Sequence, residues 1–192
     1  MGSAIVKSTS IGLSCVLEKA AMKTLHLIRH AKSSWNNSAL ADIDRPLNKR
    51  GFASCEVMAA RVLEAGCTFE HTFCSPAVRA QSTIEEISYH LEVQGISIAW
   101  KIVPALYTFD VRELLQWCQQ VDKALQEIVV VGHNPAITEL CNALGDEVIE
   151  NVPTCGYVQL AFEEEWRSLS ADSAKLICFL KPKMFMGKSE SD

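Results

Sequence analysis

The chain has 192 residues, a formal charge of -5 and a hydrophobic share of 48%. That is the make-up of an ordinary globular protein, with length for one domain and a full core. The mild acidity argues against bulk nucleic-acid binding, and the lack of any apolar run near 18 residues against a membrane span.

Residues 1–21 read as a disordered leader or extension, because the short apolar run at 11–17 is too brief for a signal peptide and is followed by Glu18-Lys19. Residues 22–183 read as one domain and 184–192 as a flexible tail. Strands and helices then alternate. A buried strand is expected at 24–28 and a helix at 48–65, its apolar stripe formed by Phe52, Cys55, Ala59, Val62 and Leu63 and its end marked by Gly66. A short strand at 71–74 leads to Ser75-Pro76, a cap followed by a first-turn proline, with Ala80, Ile84, Ile87 and Leu91 lining the helix behind it. Residues 96–103 alternate as a strand. Asp110 and Glu113 have the spacing of a capping box, ahead of a stripe of Val111, Leu114, Leu115, Cys118 and Val121. The β-branched run at 128–131 reads as a central strand covered on both faces. Asn134-Pro135 repeats the cap-plus-proline device before Ile137, Leu140, Cys141 and Leu144, and two late strands are expected at 157–162 and 174–180. The alternation predicts an α/β three-layer sandwich: a mostly parallel central sheet with helices on both faces.

The eight cysteines form no C-x-x-C pair, and several fall on apolar phases. This points to buried free thiols in a reducing, cytoplasmic setting rather than to a disulfide framework or a zinc ribbon.

Polar residues at the strand ends carry the chemistry. Arg29 and His30 close the first strand, Arg79 lies in the first turn of the helix behind Ser75-Pro76, and His133 follows the central strand across Gly132, which would admit a close backbone approach. Strand ends are where α/β sheets build their sites. Arginine offers a planar fork suited to a phosphoryl group, and neutral imidazole is a nucleophile near pH 7. His30 is the candidate nucleophile and His133 a candidate donor to the transferring phosphoryl oxygens. Lys32, Ser33 and Arg45 are candidate substrate contacts, Arg50 a possible contact to a protein substrate, and Ser34 and Trp35 possible lining of the mouth. Asp42 and Asp44 can supply an acid or order their loop. His26 and His30 stand four apart, a metal-like spacing on a helix but not on a strand, so no metal is expected.

The segments R-H-A-K-S-S-W, D-R-P-L-N-K-R-G, C-S-P-A-V-R-A-Q-S-T, V-V-G-H-N-P and the late N-V-P-T-C-G and F-L-K-P together resemble the histidine phosphatase superfamily, which contains the phosphoglycerate mutases, and in particular its short SixA-type phosphohistidine phosphatases. The resemblance spans about residues 22–183. It implies a phosphoglycerate mutase-like fold, His30 as the residue that accepts the phosphoryl group, Arg29 and Arg79 as the pocket arginines, and His133 as the second pocket histidine. It also implies a covalent phosphohistidine intermediate, with no metal or cofactor. Ala31 stands where the superfamily often has glycine. Larger members carry a carboxylic acid after the strand matching 98–103, where this chain has Pro104-Ala105-Leu106-Tyr107, and the long lid of the mutases is missing.

An alcohol leaving group needs a proton donor, so the missing acid favours phosphohistidine on a histidine phosphotransfer protein. The alternatives are a phosphatase of small phosphorylated metabolites and a non-catalytic phosphate-binding adaptor. A mutase fits least. No nucleic-acid or membrane partner is expected.

Overall fold

A computed structural model describes residues 22–186; the leader at 1–21, Cys15 and the end of the tail from Gly187 onward lie outside the described residues. Six strands form one sheet: β1 (Lys23–Arg29), β2 (Thr72–Cys74), β3 (Trp100–Ile102), β4 (Glu127–Gly132), β5 (Tyr157–Phe162) and β6 (Lys175–Leu180), in the order β3-β2-β4-β1-β5-β6. β1 through β4 run parallel, and β5 is antiparallel to both of its neighbours.

The strand period of two sorts the core. Leu25, Leu27, Ile128 and Val130 face one side, where α3 (Val111–Gln119) and α4 (Ala136–Leu144) cover them. Ile28, Val129 and Val131 face the other, under α1 (Lys49–Glu64) and α2 (Val78–Glu92). The expected three-layer α/β sandwich is the observed architecture. Among the described residues no helix is long and apolar enough to cross a membrane.

Several local expectations are corrected. Neither cap-plus-proline helix is capped by its polar residue: α2 begins at Val78 behind Ala77, α4 begins behind Pro135, and neither has a side-chain cap. Ser75 and Asn134 are engaged elsewhere, as described below. The strand at 96–103 shrinks to Trp100–Ile102, because it is an edge strand with little apolar cover. Asp110 caps α3 by accepting from Arg112 N–H, whereas Glu113 accepts from Thr108 Oγ1 and leaves the box half made. Phe52 is exposed, and Ser54 and Met58 take the inward positions of α1 instead.

Two glycines behave differently. A Cβ on Gly132 would make only ordinary contact with the Ile137 side chain, so no close approach requires glycine there. A Cβ on Gly51 would overlap the Lys32 carbonyl oxygen, so glycine lets the first turn of α1 lie against the loop after His30. The same carbonyl accepts from Asn48 N–H at 2.9 Å, and Asn48 Oδ1 caps Gly51 N–H. Gly51→Ala is expected to destabilise the protein by about 1–3 kcal/mol through overpacking, read as a lower urea midpoint with an unchanged m-value.

Candidate active site

The sheet register levels the candidate residues. Arg29 pairs with Gly132, and Cys74 and Ile28 both pair with Val131. His30 N–H then donates to Gly132 O at 3.0 Å and Ser75 N–H to Val131 O at 3.0 Å. His30, Ser75 and His133 therefore leave β1, β2 and β4 at the same height. The His30 and His133 rings lie 5.1 Å apart between centroids, and the Arg79 guanidinium reaches both, with Nε 3.3 Å from His30 Nε2 and Nη2 3.4 Å from His133 Nδ1.

Hydrogen bonding orients each ring. His30 Nδ1–H donates to the Ala31 carbonyl at 2.8 Å, which leaves the Nε2 lone pair directed into the cup. Burial, reinforced by the charges of Arg79, Arg29 and Arg45 and opposed by the bond to Ala31, holds the His30 pKa down at about 4. The imidazole is thus neutral and nucleophilic across the physiological range. His133 is almost fully buried; its Nε2 lies 2.7 Å from Ser75 Oγ and its Nδ1 faces the cup. Burial, the neighbouring His30 and Arg79 depress its pKa to about 3.

Arg79 is 2% exposed. Thr83, one turn along α2, accepts from Ala31 N–H and donates to Arg79 O, tying the arginine's helix to the loop after His30. Arg29 turns to the other wall, where Nη1 donates to Val152 O at 2.7 Å. Its buried Nε has no hydrogen-bond partner among the described residues. The Asn134 side-chain amide donates to Asn151 and Val152 on that wall, which is the work that draws it away from capping α4. Behind them Cys155 N–H donates to the carbonyls of both Arg29 and His30.

The structure brings together Arg29, His30, Arg79 and His133, and gives the remaining candidates other tasks. Arg45 is buried: it donates to Ser33 Oγ, Ser34 O and Asp42 Oδ1, and stacks 3.3 Å from the ring centre of exposed Trp35. Arg45 and Ser33 thus build the loop rather than offer free donors. Lys32, with Lys49 and Arg50, rims a groove of about 680 Å³ beside that loop. Asp44 is exposed.

Asp42 takes the second of its two expected roles, ordering its loop rather than supplying an acid. Its Oδ2 accepts from Arg79 Nη2 at 2.7 Å and from the Tyr107 hydroxyl at 2.9 Å, its Oδ1 accepts from Arg45, and its carbonyl accepts from Arg79 Nη1. Partial desolvation favours the neutral acid, but those side-chain donors outweigh it and hold the pKa at about 2. Asp42 is an ionised clamp on Arg79 and holds no proton to give near neutral pH. Tyr107 and Phe109, whose rings pack on His133 at 5.4 and 5.3 Å between centroids, and Ser75 and Thr83 were missed as site residues. Ser75 and Thr83 lie within the S-P-x-x-R-A-x-x-T segment, but the first resembled a helix cap and the second an inward helix position.

Two outcomes are expected. The histidines bind protons less readily folded than unfolded, so the unfolded state takes up the extra protons as pH falls. Their contribution to stability is complete above about pH 6.5, declines down to about pH 4 for His30 and 3 for His133, and is level below. Ring NMR titration of the free protein should give those midpoints, and urea midpoints should fall across the same window. Asp42→Asn removes a charge that competes with an oxyanion for Arg79. Tungstate should therefore bind about fivefold more tightly, on the order of 1 kcal/mol for a half-exposed pair, by calorimetry.

Residues 25–107 match the family model described as "Histidine phosphatase superfamily (branch 1)". An uncharacterized protein of Mycobacterium leprae is 25% identical over 168 residues, covering 81% of this chain and all of that one. The SixA structure from Nakamurella multipartitia superposes with a TM-score of 0.71 at 23% identity, over 86% of this chain and 99% of its own. A structure of the protein histidine phosphatase SixA complexed with tungstate gives 0.70 at 20% identity, over 85% and 99%. These structures share the fold, and the segment that matches the histidine phosphatase superfamily model contains Arg29, His30 and Arg79.

Proposed function

We propose that the protein is a metal-independent phosphatase that removes phosphoryl groups from phosphohistidine on a phosphotransfer protein, through a covalent intermediate on His30. The observation that carries this reading is the His30 imidazole, neutral, with Nδ1–H fixed on Ala31 O and the Nε2 lone pair directed at Arg79.

In this reading the phosphoryl group displaces the Asp42 carboxylate from the Arg79 fork, a like exchange of one anion for another. Arg29 swings from Val152 O to complete the grip. His30 Nε2 attacks phosphorus while the phosphorus–nitrogen bond to the substrate breaks. His133, with Ser75 Oγ donating to its Nε2, carries its proton on Nδ1 and donates to a phosphoryl oxygen, stabilising charge as it builds. Water then attacks phosphorus on phospho-His30, phosphate departs, and His30 regains its lone pair.

The leaving group selects the substrate. Asp42, the carboxylate at the mouth, is ionised, and an alkoxide leaving unprotonated is slow without an acid. The imidazole of phosphohistidine takes its proton from water on its far nitrogen and leaves neutral, so the site's lack of a protonated carboxyl group costs it little. The SixA structures, whose names state a histidine phosphatase activity for those proteins, support the same choice.

Rapid quench with labelled phosphohistidine protein tests the mechanism: an acid-labile, base-stable phosphoenzyme should form on His30 and decay to phosphate. His30→Ala should lower turnover by about 10³-fold or more, as loss of a covalent nucleophile does. A panel of sugar phosphates run beside it should turn over far more slowly. Equal turnover of the panel would move the substrate to small phosphomonoesters, and tight phosphoprotein binding without phosphoenzyme would make the domain an adaptor.

A further inference from the structure

A second cluster lies midway along β1, away from the cup. His26 and His30 are four residues apart, about 13 Å at strand rise, and do not meet. Instead His26 projects to the α1–α2 face, fully buried, beside Cys67 and Glu127. The His nitrogen, the Cys sulfur and a Glu oxygen lie within 4.8 Å of one another.

The His26 ring is oriented for ligation. Its Nδ1 is 2.6 Å from the Tyr157 hydroxyl, the second partner that metal-bound imidazoles characteristically keep. Its Nε2 is buried and has no hydrogen-bond partner among the described residues; Glu127 Oε1 stands 3.3 Å away as an ion-pair contact only. An unpartnered nitrogen in the core is costly, and a cation between it and the carboxylate would satisfy both. Cys67 follows the turn at Gly66 that ends α1, and Phe69 N–H faces its sulfur. Such a donor steadies a thiolate. Burial, joined by the nearby Glu127 carboxylate, pushes this thiol's pKa up. Thr68 donates through both N–H and Oγ1 to Glu127 Oε1, pinning the carboxylate in place. The Glu127 side chain is 22% exposed, which gives an ion a path from solvent.

We propose that His26, Cys67 and Glu127 form a binding site for a zinc-class divalent cation, separate from the phosphoryl cup. An imidazole, a thiolate and a carboxylate are the borderline donors zinc takes. Tetrahedral ligands at about 2.0–2.3 Å from zinc stand somewhat closer together than these atoms do, and small side-chain rotations close that gap. Thiolate plus carboxylate neutralises the dication, as a buried site requires. The ion would bind β1, β4 and the α1–β2 connection to one another, acting on stability rather than on the transfer step.

The test titrates reduced, chelator-stripped protein with Co²⁺. One equivalent should bind at micromolar concentration or tighter, with a thiolate-to-cobalt band in the near ultraviolet and release of the thiol proton. Zn²⁺ should displace the cobalt and raise the Tm. Cys67→Ser should abolish the band and weaken binding at least tenfold. Glu127→Gln, a near-isosteric change at a partly exposed position, should keep the band while weakening binding at least tenfold. Cys178→Ser should change neither. No saturable band in the parent protein, or a band that survives Cys67→Ser, overturns the proposal, and neither result bears on the phosphatase reading.

Discussion

The hydrogen-bonded register between β1 and β4 is the constraint from which the site follows. Because Arg29 lies opposite Gly132, the next residue on each strand is a histidine, and the two imidazoles emerge side by side. β2 pairs with β4 in the matching register and delivers Ser75 behind His133 and Arg79 above both rings. A slip of one residue in β1 would turn Leu25 and Leu27 out of their core and exchange it for His26. The burial that stabilises the sheet therefore also fixes the geometry of the cup.

Charge in the cup is balanced before any phosphoryl group arrives. Arg79 is nearly fully buried, and a buried guanidinium without an anion would be strongly unfavourable. Asp42 supplies that anion, steadied by Arg45 and Tyr107. The same arginine fields that keep Asp42 ionised help keep His30 and His133 neutral. One electrostatic arrangement thus yields a guanidinium held by an exchangeable carboxylate, two neutral imidazoles and a carboxylate unable to act as an acid. Arg45, held between Ser33 and Trp35, carries the Asp42 loop over the cup.

Much of this was legible in the chain. The alternation of periods three to four and two located β1, α1, α2, β4, α4, β5 and β6, because each has a long, continuous apolar pattern. Edge strand β3 was overextended, since an edge lacks the two-sided burial that makes a pattern reliable. Ser75 and Asn134 looked like caps because cap residues are recognised by type and spacing. Their side chains instead meet His133 and the Asn151–Val152 wall, partners 58 and 17–18 residues away.

Sequence by itself determined which residues end the strands, since local hydrophobic patterning fixes where each buried run stops; Arg29, His30 and His133 are marked in that way, and Arg79 by its place in the first turn of the helix behind Ser75-Pro76. Tertiary structure decided what those residues do to one another and what else joins them. Asp42 reaches Arg79 across 37 residues and Tyr107 reaches Asp42 across 65, while His26 finds Cys67 and Glu127 rather than its near neighbour His30. Hydrogen bonds and ion pairs act over a few ångströms of space and not along the chain, so only the folded arrangement distinguishes a proton donor from a clamp.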